Sequence, residues 1–258
     1  MDKPLVSIAK YTLLELLRNR IMWLLFMVIL TGFLLSQFAA DLAITEHRNI
    51  QLSLLAAFLR VSGVLMISLL IVSSLIREIN DKSIDIVLST SVSRGVYFVA
   101  KLAAYLLVAF GFAALFGVCL SFYGDSLSVI AWSLSYFAEL VIVTSLSIAM
   151  VFTFKQTPTA LMAVLIFYAV SRNIGSMSLI ASHPVFEQVG IAQHFMSGFV
   201  AFLSWLLPDL DRFSDTAWLV YGVQDGSVFI TILFQSVIYA LLLSGVALFD
   251  FHRKNFNT

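Results

Sequence analysis

Charge is scarce in this chain of 258 residues: Asp, Glu, Lys and Arg make up 12%, while 60% of residues are hydrophobic and the mean hydropathy is +0.99. A water-soluble domain carries roughly a quarter charged residues, so the composition excludes one. A single cysteine, Cys119, excludes an internal disulfide and a cysteine metal cluster; it reads as a small packing residue near a helix end. No glycine-rich phosphate loop ending in Lys-Ser/Thr is present, so hydrolysis of ATP by this chain alone is not expected. His-Glu-x-x-His and Gly-x-Ser-x-Gly are absent too. There is no low-complexity tract and no internal repeat. Alternating ten-residue segments, the signature of a membrane barrel, are missing as well.

What is present is a series of long apolar runs. Lys3 to Arg20 is amphipathic, with Leu5, Ile8, Ala9, Leu13, Leu16 and Leu17 at helical spacing, and suits a helix in the membrane interface. It leads straight into a full-length span, which is not the form of a cleavable signal. Spans are expected at Ile21 to Ala40, Ser53 to Ile76, Val96 to Phe122, Leu127 to Phe154, Thr159 to Ile180 and Val228 to Phe249. Each has about 20 residues or more, enough for ~30 Å of hydrocarbon. The expected fold is therefore all-α and integral to the membrane, one domain over residues 1–258. Lys101 is placed to snorkel to the interface.

Orientation follows from Lys and Arg. One side takes Lys3, Lys10, Arg18, Arg20, Arg77, Lys82, Arg94, Lys101, Lys155, Arg253 and Lys254; the other takes only Arg48, Arg60, Arg172 and Arg212. The rule puts both termini in the cytoplasm.

Two groups of residues invite a functional reading. The first is a polar island, Arg77 to Arg94, between the second and third spans. Asp81 is placed to cap a short helix over 81–89 that carries Ile84, Ile86, Val87 and Leu88. That apolar set is too small to span and suits a groove on a partner, or else a loop lying on its own bundle. The second group is charge inside the spans, which is costly and usually functional. Helical rise puts Arg60 ~24 Å and Arg172 ~21 Å above the cytoplasmic ends of their spans, and Glu139 ~18 Å below an outer end. These three either pair to fix packing, with Ser135 and Thr144 as polar neighbours, or the arginines face a path and meet an anionic headgroup. Weaker patterns are His194 with Met196 and the trio Asp209, Asp211 and Asp215. The former read as interfacial helix residues and the latter as a solvated loop, not as metal sites. His47, His183 and His252 are scattered. The run from Phe195 to Leu207, broken by Ser197, Gly198 and Ser204 and ended by Pro208, is too short to span. A re-entrant helix pair over 193–213, with Phe202, Trp205 and Pro208 at the outer mouth, is expected; a helix lying flat on the outer leaflet is the alternative.

Taken in order, the amphipathic helix with Arg18-Asn19-Arg20, the first two spans, the Arg77-Glu78 island, Leu88-Ser89-Thr90-Ser91-Val92-Ser93-Arg94 and then Lys101 resemble the permease subunit of type-2 ABC exporters, the ABC-2 family. The likeness runs over essentially the whole chain. The segment Leu206 to Phe213, ahead of Trp218 to Gly222, resembles the branch holding the nitrous-oxide-reductase-maturation and gliding-motility permeases. Lys82-Ser83 stands where many members have Gly-Thr. The resemblance implies six spans, an N-terminal elbow helix over 3–20, a coupling helix over 81–89 and outer re-entrant helices. It implies contact with an ATP-binding subunit through Asp81, Ser83, Ile84, Ile86, Val87, Leu88 and Arg94. ATP and magnesium would sit on that partner, so no cofactor is expected on this chain, and nucleic acid is not an expected partner. Two copies, or one copy and a close relative, would form the pore in a bacterial inner membrane. Export by alternating access follows from the resemblance; an intramembrane lipid-modifying enzyme and a non-transporting scaffold or sensor are the other classes left open.

Overall fold

A computed structural model describes residues 2–43, 46–89, 92–182, 191–223 and 226–253. Among them the regular structure is helical throughout: α1 Asp2–Leu17, α2 Ile21–Leu42, α3 His47–Asn80, α4 Ser83–Leu88, α5 Arg94–Ser121, α6 Ser126–Phe154, α7 Thr157–Ser182, α8 Ile191–Leu206, a 3-10 turn at Leu210–Arg212, α9 Ala217–Tyr221 and α10 Ser227–Arg253. Six of these, α2, α3, α5, α6, α7 and α10, are long and apolar enough to cross a membrane. All six expected spans are thus helices, and the chain has a multi-pass membrane architecture.

The boundaries moved where polar residues pair between helices instead of facing water. Asp41 to Gln51 reads as an outer loop, yet α2 runs on to Leu42 and α3 starts at His47. The Gln51 amide donates to Gln37 Oε1 at 2.9 Å, and His47 Nδ1 lies 2.6 Å from the Ala40 carbonyl. These cross-links satisfy polar side chains that sequence pattern assigns to solvent. The result is an α3 of 34 residues, ~51 Å long at helical rise and longer than a hydrocarbon core is thick.

Helix α6 lies at the centre and packs against α3, α5, α7 and α10, while α1 lies along α5, α2 along α3 and α8 along α7. Its aromatic residues Trp132 and Tyr136 are wholly buried and stack at 5.1 Å. By contrast α2 and α10 bury little: Trp23, Phe26, Phe38, Ile230, Phe234 and Leu241 are all exposed. Such faces suit lipid or another chain.

Gly63 on α3 lies against side chains of both α5 and α6. A Cβ built there would sit 2.1 Å from Tyr136 Oη and 2.6 Å from Phe116 Cε2. Those two rings stack on each other and the Tyr136 hydroxyl donates to the Arg60 carbonyl at 3.2 Å, so neither can yield freely. Gly63→Ala is expected to cost about 1–3 kcal/mol by overpacking. Gly111→Ala, with nothing within 4 Å of its Cβ, should be neutral or stabilising by up to about 1 kcal/mol, alanine being the better helix former. Thermal unfolding in mild detergent compares the two; equal midpoints would contradict the close contact.

Candidate functional site

The intramembrane charges converge on one loop. Glu139 is wholly buried on α6. Its carboxylate accepts from the Tyr168 hydroxyl at 2.8 Å and from the Ser214 hydroxyl. Arg172 on α7 stands 4.0 Å from it, a loose ion pair. The guanidinium spends its donors elsewhere, on the carbonyls of Leu210 and Phe213, the latter at 2.7 Å. Arg60 on α3 donates to the Ser214 carbonyl at 2.8 Å, and the Trp132 indole donates to the same oxygen at 3.0 Å. The Ser214 amide donates to Ser135 Oγ at 2.9 Å. All three polar atoms of Ser214 are therefore taken up.

That bonding has a local reason. Ser214 adopts φ 45°, a left-handed conformation uncommon outside glycine. Its backbone groups point inward from a loop that would otherwise carry unsatisfied polar atoms into an apolar bundle. The loop is not solvated throughout, as the acidic trio suggests: Phe213 and Ser214 are wholly buried, and only Asp211 and Arg212 stand out at the surface. Asp209 accepts from Arg212 Nε at 2.8 Å, and Asp215 Oδ1 accepts from the Ala217 amide at 2.9 Å, starting α9. Among the described residues no three His, Cys, Asp or Glu side chains gather into a metal site.

Of the neighbours expected for the buried charges, Glu139 pairs with Arg172, and Ser135 joins the network. Both arginines donate to loop carbonyls. Thr144, the other expected neighbour, is buried with an unpartnered hydroxyl and takes no part. Tyr168 and Ser214 were not singled out from the sequence. Spacing held a partial signal: Trp132, Ser135 and Glu139 recur at i, i+3 and i+7 on α6, and Tyr168 and Arg172 at i and i+4 on α7.

A second polar cluster lies at the opposite end, where α3 gives way to α4 and α5. Glu78 accepts from Lys101 and from the Tyr97 hydroxyl at 2.6 Å, and its main-chain carbonyl accepts from Ser83 Oγ at 3.1 Å. Lys101 does not snorkel; it is 7% exposed and points inward to this carboxylate. Nearby, Arg77 pairs with Glu15 on α1. Arg94, at the start of α5, donates to the carbonyls of Phe251 and His252 at 3.3 and 3.0 Å and so caps the end of α10.

The island does contain a short helix, α4, six residues long. Asp81 does not cap it. Asp81 closes α3, its amide donating to the Arg77 carbonyl at 2.8 Å, and Lys82 turns the chain with φ 53°. The face expected to dock is partly reversed. Ile84 is 1% exposed and belongs to the bundle's core, Val87 packs against that core, and Ile86 stands out at 68% exposed. Thus Ile84 is an internal anchor and is not available to a partner. The side chain of Leu88 and the turn at Thr90-Ser91 lie outside the described residues, as do His183, Glu187, Asp225, Lys254 and the side chain of His194.

Elsewhere α8 ends at Leu206, and buried Pro208 follows, as expected of a helix stop. Phe202 and Trp205 are exposed on α8, and the Tyr239 hydroxyl on α10 donates to the Leu206 carbonyl at 3.1 Å. Within 193–213 the part after Pro208 is no helical arm but the 3-10 turn, and beyond it the five-residue α9 packs on α3 and α6. Compared with known proteins, the chain matches no protein-family model and no curated sequence.

Proposed function

We propose that this chain is the membrane-spanning subunit of an ATP-driven exporter of the ABC-2 type. The observation that carries the reading is α4: a short helix after the second span, anchored inward by Ile84 and presenting Ile86 outward. An exposed isoleucine on a helix too short to fold alone suits a groove on a partner. The order of elements around it supports the same reading, with amphipathic α1 ahead of six spans and α8 between the last two.

On this reading the partner is an ATP-binding subunit that holds ATP and magnesium, and Ile86 with part of Val87 enters its groove. Glu78 is then the joint through which the push is shared. It is part of α3, takes its ion pair from α5 and accepts from Ser83 of α4. Arg94 passes motion of α5 to the end of α10. Helix α3 carries it ~27 Å along its axis from Glu78 to Arg60, which holds the Ser214 loop. In this scheme α8, with Phe202 and Trp205, and the loop after Pro208 form the outer gate. A second copy or a related permease completes the pore through faces such as those of α2 and α10, in a bacterial inner membrane with both termini cytoplasmic.

Affinity purification of the full chain from its native membrane tests this. It should retrieve an ATPase carrying a phosphate loop and an ABC signature. Ile86→Asp should lower that yield tenfold or more, since it buries an unpaired carboxylate at the contact, while the chain itself remains inserted. Retrieval of no such ATPase, or an unchanged yield with the variant, overturns the reading.

A further inference from the structure

We propose that the notch where α1, α2 and α3 meet binds the phosphate of an anionic phospholipid headgroup. The notch has a volume of about 460 Å³ and is lined by Glu15, Arg18, Asn19, Arg20 and Arg77, a wall of polar and charged side chains. Three arginines and one carboxylate line it, and that carboxylate is occupied. Glu15 pairs with Arg77 and also accepts from Ser74 Oγ at 3.4 Å. Asn19 is occupied as well, its Oδ1 accepting from the Ile21 amide at 3.2 Å. Arg18 and Arg20 are exposed and make no ion pair with any described residue. The notch therefore carries two uncompensated positive charges on planar donors, which match a phosphate in a bidentate manner.

Its position selects a lipid over a soluble anion. It lies between an amphipathic helix and the start of the first span, the level at which headgroups sit. Val6, Leu14 and Leu17 are exposed on α1, and Trp23, Phe26 and Met27 on α2. Trp23 is one turn beyond Arg20, an aromatic at the height expected for an interface. A lipid seated by its phosphate in the notch would lay its acyl chains along the exposed face of α2. A net-neutral lipid would bring its own cation toward Arg18 and Arg20, which favours an anionic headgroup. This inference needs only that the chain is in a bilayer. It is independent of the exporter reading and of which way the chain faces.

The test is a native mass-spectrometric titration of the full chain in detergent, with dioleoyl phosphatidylglycerol, dioleoyl phosphatidylcholine and inorganic phosphate as probes. Phosphatidylglycerol should be retained at least tenfold better than phosphatidylcholine. Arg18→Gln and Arg20→Gln should each lower its retention roughly fivefold, and the double variant roughly thirtyfold, with phosphatidylcholine unchanged. The double Arg-to-Lys variant should keep most of the effect. If the double Gln variant fails to fold, the single variants decide. Equal retention of the two lipids by the parent, or unaltered phosphatidylglycerol binding in the single Gln variants, overturns the proposal. Displacement of phosphatidylglycerol by millimolar phosphate overturns the lipid assignment in favour of a soluble anion.

Discussion

Lys101→Met is expected to destabilise the chain by about 3–5 kcal/mol, the cost of stranding a buried partner charge. The side chains of Lys101 and Glu78 are only 9% and 11% exposed, and the pair joins α5 to α3. Without the ammonium, Glu78 keeps the Tyr97 hydroxyl but loses its only ion-pair partner among the described residues. Methionine matches the lysine stem in shape, so little of the loss comes from packing. The rescue is as informative as the damage. In Lys101→Met/Glu78→Met no charge is left to desolvate, and most of the lost stability should return. Thermal unfolding of the purified chain in mild detergent measures both. A double variant no more stable than the single one would show that the cluster acts by shape and not by charge.

Arg172→Met should have an effect of the same size, about 3–5 kcal/mol, and a different appearance. It removes the loose partner of Glu139 and also the donor to the carbonyls of Leu210 and Phe213. The loop that those carbonyls belong to is then held by Ser214 alone. Proteolytic cleavage between Asp209 and Asp215 should become faster than in the parent before global unfolding begins. Glu139→Gln is the milder neighbour. The amide can still accept from Tyr168 and meet the Ser214 hydroxyl, so about 1–2 kcal/mol is expected. A loop as resistant in Arg172→Met as in the parent would mean that Arg60, Trp132 and Ser135 suffice to hold it.

The spans were legible because a bilayer demands uninterrupted apolar length, and length is written locally. Their ends were less so, since Gln51 looks like a loop residue until it is seen to bond Gln37 across two helices. The short helix at 83–88 could be placed from its composition, but its orientation could not. Ile84 and Ile86 are equally apolar, and only the path of α3 and α5 decides that the first goes inward. Lys101 departs from the usual expectation for a lysine near a span's end because Glu78 stands on another helix to receive it. Glu139, Arg60 and Arg172 were found at once as charges out of place. The loop that receives them, Leu210 to Ser214, was not, because nothing marks one short loop as the acceptor for charges on three helices. Its bonds span 75 residues to Glu139 and 154 to Arg60.

Those separations set a timetable for biogenesis. Arg60 enters the membrane 154 residues ahead of the carbonyl that will receive it, and at 5–20 residues per second the ribosome needs ~8–30 s to deliver that residue. During that interval α3, α6 and α7 carry charges without their final acceptor, and helices cannot close fully around them. Newly inserted chain must be shielded by the insertion machinery or by water drawn in from the headgroup region. Any arrest of synthesis short of residue 214 leaves Arg60 and Glu139 without the serine that receives them in the finished chain.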